Sequence, residues 1–394
     1  MFGYRTGYGA RGDAGYAQHA SLGTIVANAI EAAVAANGYP SSDLAGLRAW
    51  VLANFQPGMS WGVVANPTDR IELDLQGNGT LSAWWDDAST NSYALNGSTD
   101  TVVSHTYASA ANRPVVVLGD VTRWTSPDTT DGRTSYGTDV RYLPSSLTYL
   151  NVWGSNTLTG DIAALSASLT LLNVRGSNTL SGDVASLSAS LTYLNVQGSN
   201  TLSGDVSALP ASLTFLQVWG STTLSGDVAG LPAPLTSLNV QGSNTLSGDV
   251  AGLPAPLTSL SVFGSNTLSG DVAGLPAPLT YLRVFGSNTL SGDVAGLPAS
   301  LTFLSVGGSN TLSASLGTSA GIPTPVSYVN VDNMVSGSVD NVLEAMAANV
   351  GATKPRGERI VRLSGGSAQP RTTASDAAVA TLTSASPPYT VTTA

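Results

Sequence analysis

Residues 147–168 read LTYLNVWGSNTLTGDIAALSAS, and the sequence holds eight copies of this 22-residue unit. A ninth, displaced copy reads VSYVNV at residues 326–331, 25 residues after Leu301. An internal repeat of this length predicts a solenoid, because one coil cannot bury its own apolar face and must stack on the next. The eight copies begin at Leu147, Leu169, Leu191, Leu213, Leu235, Leu257, Leu279 and Leu301.

The apolar positions of the unit predict a short strand followed by a return path. The inward positions of the strand are Leu147, Leu150 and Val152. The positions that fill the return path are Leu158, Ile162 and Leu165. Eight such strands, about 4.8 Å apart, form a sheet on the order of 40 Å long. Gly154 and its equivalents are expected to adopt a backbone conformation that a side chain would forbid.

The motif resembles a leucine-rich repeat, in which LxxLxLxxN is followed by LxGxI. The asparagine sits one place later here than in the commonest consensus, and residues 158–162 (LTGDI) supply the second half. The resemblance covers residues 147–331 and implies a leucine-rich-repeat-like solenoid. In such coils an inward asparagine satisfies backbone groups of the turn. The asparagine column, which only Thr222 interrupts, is Asn156, Asn178, Asn200, Asn244, Asn266, Asn288 and Asn310.

Two outward positions of the predicted strand, those of Tyr149 and Trp153, form two columns with their equivalents in the other copies. Both columns are rich in aromatic residues. Nine of their sixteen positions are aromatic, whereas aromatic residues make up 7% of the chain. Large rings on an outward face are typical of a binding surface or an oligomer interface. Rings also pack across neighbouring strands, so stabilisation of the sheet alone is the open alternative. The candidate ligand- or partner-binding residues are Tyr149, Trp153, Tyr193, Phe215, Trp219, Phe263, Tyr281, Phe285 and Phe303.

A further column of the repeat is acidic. Unit charges about 5 Å apart repel by roughly 0.8 kcal/mol in water, so these carboxylates need hydration, hydrogen bonds or a bridging cation. Hydrogen bonds from turn amides are the favoured interpretation, because aspartate readily accepts from nearby backbone N–H groups. Calcium, which prefers carboxylate oxygens, is the alternative. The ladder consists of Asp161, Asp183, Asp205, Asp227, Asp249, Asp271 and Asp293.

Residues 1–60 are predicted to form a flexible arm and two helices that anchor the protein. Residues 1–19 are rich in Gly, Tyr, Arg and Ala, which is typical of an arm that becomes ordered on binding. A first helix is predicted over residues 21–37, and a second follows the capping residues Ser42 or Asp43. Two short helices favour docking over catalysis.

Residues 61–124 are predicted to form a small β-sandwich. Asn78-Gly79, between two apolar runs, predicts a hairpin turn. Residues 84–87 (WWDD) and 105–107 (HTY) resemble the WGDG and HTY signatures of PKD-type domains. The resemblance implies a PKD-like β-domain in which the histidine orients a turn.

Residues 125–146 are predicted to be a polar linker. Residues 332–394 are predicted to form an α/β cap that covers the last coil, or rung, of the solenoid. In the cap, helices are predicted over residues 339–350 and 375–384, and strands over residues 359–363 and 389–393. A PKD-like domain followed by 22-residue repeats and a cap resembles leucine-rich repeat proteins of phage virions and bacterial surfaces. No apolar signal sequence follows Met1, which favours a virion protein made in the host cytoplasm.

The composition of the 394 residues excludes several functions. There is no Cys and there are two His, so a disulfide framework, a thiolate nucleophile and a multi-histidine metal centre are not expected. A net charge of −10 leaves no basic patch for nucleic acid. The apolar runs fall short of the roughly 20 residues of a membrane span. The motif GYGARG at residues 7–12 lacks the preceding strand of a dinucleotide site, and no catalytic acid–base pair emerges.

The sequence therefore predicts a mainly β protein with α elements. Its parts are an N-terminal helical arm, a small PKD-like β-sandwich, a leucine-rich-repeat-like solenoid and a C-terminal α/β cap. We interpret it as a non-enzymatic phage virion protein, a fibre, tail-tip or capsid-surface component, without cofactor or metal. Residues 1–60 would contact virion proteins, and the aromatic face a host glycan or surface protein. The alternatives are a purely structural lattice or oligomer-forming protein and a bacterial surface adhesin.

Overall fold

The computed structural model divides the chain into two compact units. Unit 1 comprises residues 1–160 and 164–168, and unit 2 comprises residues 161–163 and 169–394. Residues 1–13 of the predicted arm, with its GYGARG motif, lie outside the described residues, and residues 14–19, which were also predicted as arm, are helical. The described residues are 14–36, 43–55, 60–66, 69–87, 89–111, 113–126, 136–154, 156–313, 328–332, 338–348, 360–364, 373–385 and 388–393.

Unit 1 contains an antiparallel sheet of five strands. These are β1 (Ser60–Asn66), β2 (Arg70–Trp85), β3 (Thr90–Asn96), β4 (Thr101–Thr106) and β5 (Arg113–Thr125). β5 pairs with β1 and β2, while β2 carries β4 along its first half and β3 along its second. The predicted hairpin turn at Asn78-Gly79 is wrong. Both halves of β2 pair with β5, so the chain stays extended, and Gly79 (φ 74°) lies at a register shift.

Two helices cover one face of this sheet, α1 (Ala14–Ala36) and α2 (Leu44–Asn54). Asp43 caps α2 as predicted, because its carboxylate accepts a hydrogen bond from the Gly46 amide at 2.7 Å. The helices share one apolar core with β1, β2 and β5, so they form part of the same packed body as the sheet. The buried residues of that core are Ala27, Ile30, Ala33, Val34, Leu47, Val51, Val63, Trp84, Val116 and Leu118. Among the described residues, no helix has the length and apolar character needed to cross a membrane.

The first coil of the solenoid belongs to unit 1, where it pairs with a strand formed by part of the predicted linker. The strands involved are β6 (Gly137–Asp139), β7 (Tyr149–Val152) and β8 (Thr157–Asp161). The end of β5 pairs in parallel with β7, which puts Trp124 opposite Leu150, and β6 pairs with β8. Trp124 is buried and its Nε1 donates to the Tyr136 hydroxyl at 2.9 Å. The end of β5 and the described part of the linker together therefore build an additional coil, in which Trp124 occupies the position of the repeat leucine.

Unit 2 is a ladder of parallel strands. They are β9 (Leu171–Asp183), β10 (Tyr193–Asp205), β11 (Phe215–Asp227), β12 (Ser237–Asp249), β13 (Ser259–Asp271), β14 (Tyr281–Gly286), β15 (Thr289–Asp293), β16 (Phe303–Val306) and β17 (Thr311–Ser313). Equivalent residues of successive copies are paired, as Leu194 with Leu216 and Leu216 with Leu238. These leucines are fully buried. The protein is thus mainly β, with a long parallel sheet built on stacked coils.

Buried asparagines satisfy backbone groups, as predicted for this column, and in unit 2 these bonds join a coil to the preceding one. The Oδ1 of Asn266 accepts from the Leu246 amide of the preceding coil at 2.9 Å. The same bond is made by Asn200, Asn244, Asn288 and Asn310. The glycine at the equivalent of position 154 is required as well. At Gly264 φ is 141°, and a Cβ there would lie 2.8 Å from the backbone oxygen of Asn244, closer than the two atoms can approach.

The predicted C-terminal cap extends the parallel ladder. Its elements are β18 (Tyr328–Asp332), α3 (Ser338–Ala348), β19 (Ile360–Ser364), α4 (Asp376–Ser384) and β20 (Thr390–Thr393). β18, from the displaced ninth copy, pairs with β16; β19 pairs with β18 and β20 with β19, all in parallel. The last repeat is therefore covered by further strands of the same sheet, with helices on the return paths.

We expect the Leu47→Ala substitution in α2 to lower the free energy of unfolding of unit 1 by about 2–5 kcal/mol, because the side chain is fully buried between helix and sheet. The matched control is Leu52→Ala in the same helix, where the side chain is 45% exposed and the loss should stay below about 0.5 kcal/mol. Urea denaturation of the full chain, followed by tryptophan fluorescence, measures both. Equal losses in the two variants would contradict the packing of α2 against the sheet.

Candidate functional site

The candidate site is the outward face of the parallel ladder in unit 2. Strand alternation buries Leu194 and Val196 in the core and turns residues 193, 195 and 197 of β10 to the opposite face. The register repeats these positions from strand to strand. They form three columns, which we name after residues of β10 and β11: the Tyr193 column, the Asn195 column between the others, and the Trp219 column.

Rings in the Tyr193 column stack face to face. The centroids of Tyr193 and Phe215 lie 4.4 Å apart with planes 5° from parallel. Phe303 lies between Tyr281 at 4.3 Å and Tyr328 at 4.1 Å. All five side chains are half-buried, so ring edges reach the solvent while much of each face lies against a neighbour. Tyr328 was missed as a candidate because its copy is displaced, although it holds the third position of VSYVNV as the other rings do in their copies.

Two serines interrupt the Tyr193 column. Phe215 is paired with Ser237, Ser237 with Ser259, and Ser259 with Tyr281. The column therefore consists of two aromatic stacks separated by two rungs that carry no ring.

The Trp219 column carries a third stack beside this gap. The centroids of Phe263 and Phe285 are 5.2 Å apart, with planes 17° from parallel. The guanidinium of Arg283, in the Asn195 column, lies 4.6 Å from the ring centroid of Phe263 and 5.8 Å from that of Phe285. Such cation–π contacts hold an arginine in place without neutralising its charge. Arg283 was not among the predicted site residues; the signal for it was a cation in a column otherwise made of amides and hydroxyls.

The Asn195 column is polar and partly buried between the aromatic columns. From β9 to β16 it consists of Asn173, Asn195, Gln217, Asn239, Ser261, Arg283 and Ser305. Among the described residues, the buried Nε1 of Trp219 and Oδ1 of Asn239 have no hydrogen-bond partner. An unpaired buried polar group costs about 1–3 kcal/mol. The face thus combines flat apolar rings with a column of polar side chains between them.

Two of the predicted residues, Tyr149 and Trp153, lie in unit 1. The Arg123 guanidinium covers the Tyr149 ring at 3.7 Å from its centroid, and it pairs with Asp100 at 3.3 Å. Trp153 is half-buried, and its backbone amide donates to the Ser126 hydroxyl at 3.2 Å. The other seven predicted residues, Tyr193, Phe215, Trp219, Phe263, Tyr281, Phe285 and Phe303, share the face of unit 2.

The aspartate ladder caps the turn that follows each strand, as predicted. The Oδ1 of Asp249 accepts from the Ala251 amide at 2.8 Å, at the start of a 3₁₀ turn. The same bond is made by Asp161, Asp183, Asp205, Asp227, Asp271 and Asp293. In unit 1, Asp139 makes this bond to the Arg141 amide at 2.9 Å. It was missed because its coil lacks the repeat motif.

The turn cap at Asp205 also affects the pKa of that carboxyl group. Hydrogen bonds from the Ser207 amide and hydroxyl lower the pKa of Asp205. A depressed folded-state pKa means that the carboxylate cap stabilises the coil above the ordinary aspartate pKa and is lost as the pH falls through the lowered value. Within the described residues, no group of three or more His, Cys, Asp or Glu side chains could hold a metal ion.

A second polar cluster lies in unit 1, around the histidine of the HTY motif. His105 Nε2 lies 2.7 Å from Asp87 Oδ2, and its ring stacks on Trp85 at 4.9 Å. Burial raises the pKa of Asp87, but hydrogen bonds from Ser89 and His105 outweigh it, so the pKa lies below its usual value. His105 thus orients the turn after β2, the role that the sequence resemblance implies.

No family model matches the sequence, and no curated protein matches it. Among solved structures, the chain is similar to a plant peptide hormone receptor, RGFR1 in complex with RGF2, with a TM-score of 0.34 and 18% sequence identity. The match covers 60% of this chain and 54% of the receptor chain, so this chain spans about half the length of that receptor.

We expect Phe303→Ala to lower the free energy of unfolding of unit 2 by about 2–4 kcal/mol, because it removes half-buried apolar area and two ring contacts at once. Ser259→Ala in the same column removes no ring contact and should cost less than about 0.5 kcal/mol. Urea denaturation of the two full-length variants measures the difference. A Phe303→Ala protein as stable as the Ser259→Ala protein would show that the stacks contribute nothing to the fold.

Proposed function

We propose that this protein is a non-enzymatic recognition protein of a phage virion, whose solenoid face binds a glycan or protein on the host surface. The observation that carries the proposal is the set of ring stacks in two columns on one outward face of a parallel ladder. Aromatic rings offer flat apolar area and lose little conformational entropy on binding. Strands with buried leucines on their inner side hold these rings in fixed positions, which favours specific recognition.

The polar column between the rings supports a glycan in particular. A sugar ring has an apolar face of C–H groups and a rim of hydroxyls, so it needs a flat apolar surface with hydrogen-bonding groups beside it. The Asn195 column supplies amides and hydroxyls next to both aromatic columns. Ligand sites commonly combine a mostly apolar lining with a few placed polar groups in this way.

We further propose that residues 1–60 attach the protein to the virion. The large hydrophobic side chains that are exposed among the described residues include Ile25 (61%), Leu44 and Leu52 (45% each). All three belong to the helix pair α1 and α2, and exposed aliphatic residues are typical of a contact surface.

The virion assignment predicts that the chain is present in purified particles. Mass spectrometry of phage particles purified through a density gradient should detect its peptides at a fixed ratio to a major capsid protein. The matched control is the supernatant of the same lysate after removal of the particles. If the chain is found in the supernatant alone, the virion assignment is refuted.

The recognition role predicts that loss of the Phe263–Phe285 stack weakens binding at least about tenfold, the effect of roughly 1.4 kcal/mol. The test compares the full-length wild type with the Phe263→Ala, Phe285→Ala double variant, on glycan arrays and on bacterial cells. Val102→Ala removes an apolar side chain that is 52% exposed in unit 1 and should bind as the wild type does.

Stability and oligomeric state provide the controls for this experiment. Urea denaturation verifies that the double variant is folded under the binding conditions. Equal binding by wild type and the folded double variant would exclude recognition through this stack. The self-stacking of the rings also suits a lattice or oligomer interface, and light scattering separates that role: assembly of the wild type that the double variant abolishes, without any glycan or cell binding, would favour the structural alternative.

A further inference from the structure

The gap in the Tyr193 column separates two aromatic faces. Phe215 and Tyr281 are three rungs apart, which corresponds to about 14 Å. Each of these rings is stacked on one side only, Phe215 on Tyr193 and Tyr281 on Phe303. Their other sides border Ser237 and Ser259 respectively. The gap consists of residues 237 and 259 and is bounded by the rings of Phe215 and Tyr281. It spans two rungs, the spacing of two further rings, and no ring of the described residues stacks on the faces that border it.

The floor of the gap is polar. Ser237 and Ser259 carry hydroxyls, and the next column contributes Asn239 and Ser261 on the same two rungs. The Asn239 Oδ1 is one of the buried groups that have no hydrogen-bond partner among the described residues. A purely apolar guest would leave the serine hydroxyls without a partner. A guest with hydroxyl groups at its rim would pair with them.

The positively charged side chain of Arg283 lies at one side of the gap. Arg283 belongs to the rung of Tyr281, yet its guanidinium lies closer to the Phe263 ring, on the rung of Ser259, than to Phe285 on its own rung. No carboxylate of the described residues forms an ion pair with it. The two phenylalanine rings exclude water from part of the guanidinium. A charge-assisted, bidentate bond to a carboxylate is stronger in such surroundings than in open solvent.

We propose that this gap is a subsite for a carboxylate-bearing sugar, a uronic or sialic acid residue, within the glycan that the face recognises. The sugar ring packs against Tyr281 or Phe215, its hydroxyls bond to the serines and Asn239, and its carboxylate pairs with Arg283. The inference rests on the proposed role in surface recognition and specifies the ligand class. Arg283 is needed to attract the carboxylate because the chain as a whole has a net charge of −10, so its overall field does not attract anions.

The experiment measures calorimetric binding of the full chain to two matched probe pairs. One pair is 3′-sialyllactose and lactose, and the other is trigalacturonic acid and its carboxyl-reduced form. The wild type should bind at least one acidic probe about tenfold or more tightly than its neutral partner. Arg283→Gln should remove this preference. Arg175→Gln is the matched control, because Arg175 lies on the same face five rungs, about 24 Å, away, and it should keep the preference.

A second variant fills the gap without weakening the fold. Ser259→Tyr places a ring where it can stack on Tyr281, as Phe303 does on the other side. It should abolish binding of the acidic probe while urea denaturation shows undiminished stability. Retained acidic binding in either Ser259→Tyr or Arg283→Gln would overturn the subsite.

The outcomes for the wild type separate the two proposals. Equal binding of acidic and neutral probes, or cell binding that depends on the Phe263–Phe285 stack without binding to either acidic probe, would overturn the acidic subsite and leave surface recognition in place. Failure to bind any probe, array glycan or cell would overturn both. Added salt should weaken acidic binding in the wild type, since part of the attraction is between charges that ions screen.

Discussion

The stacking of each coil on the next is the interaction on which the rest of the structure depends. No single coil can bury its leucines, so the core exists only where coils meet. Buried amides such as Asn266, which binds the backbone of the preceding coil, fix the spacing and the register. Because every side chain then lies beside its own equivalent, about 4.8 Å away, a residue type is favoured if identical copies attract one another. Rings and amides satisfy this condition, and charges satisfy it poorly.

This constraint explains both the composition and the face of unit 2. Charged residues make up 10% of the chain, and the charge that recurs along the repeats, the aspartate column, is held at turns where backbone amides and solvent compensate it. On the strands, rings recur and stack. The stacking that stabilises the sheet also covers ring faces in the Tyr193 column. The faces left for a ligand in this column are those beside Ser237 and Ser259, where serines interrupt it.

Unit 1 meets the same requirement with different residues. Its first repeat needs a neighbouring coil, and the end of β5 with residues 136–142 supplies one. Trp124 takes the position of a repeat leucine and Asp139 caps the turn as the later aspartates do. The helices contribute to the antiparallel sheet in a similar way, because α1 and α2 bury apolar residues on a face of the sheet that would otherwise be exposed. A chain segment without the repeat motif can therefore act as a coil when its burial pattern fits.

The repeat alone determined the parallel ladder, the asparagine bonds, the glycine positions and the turn caps, because each depends on contacts between a residue and its own equivalents 22 positions away. It also identified the aromatic columns. The roles of Trp124 and Tyr328 depended on tertiary structure, because Trp124 lies outside the repeats and Tyr328 lies in their displaced copy. Arg283 occupies a repeat position, but its contacts with two rings follow from the register between strands. The hairpin turn predicted at Asn78-Gly79 was wrong, because β2 pairs with β5 along both of its halves and this pairing overrides the local turn propensity. Local preference determines the coil, whereas register between strands decides which side chains meet.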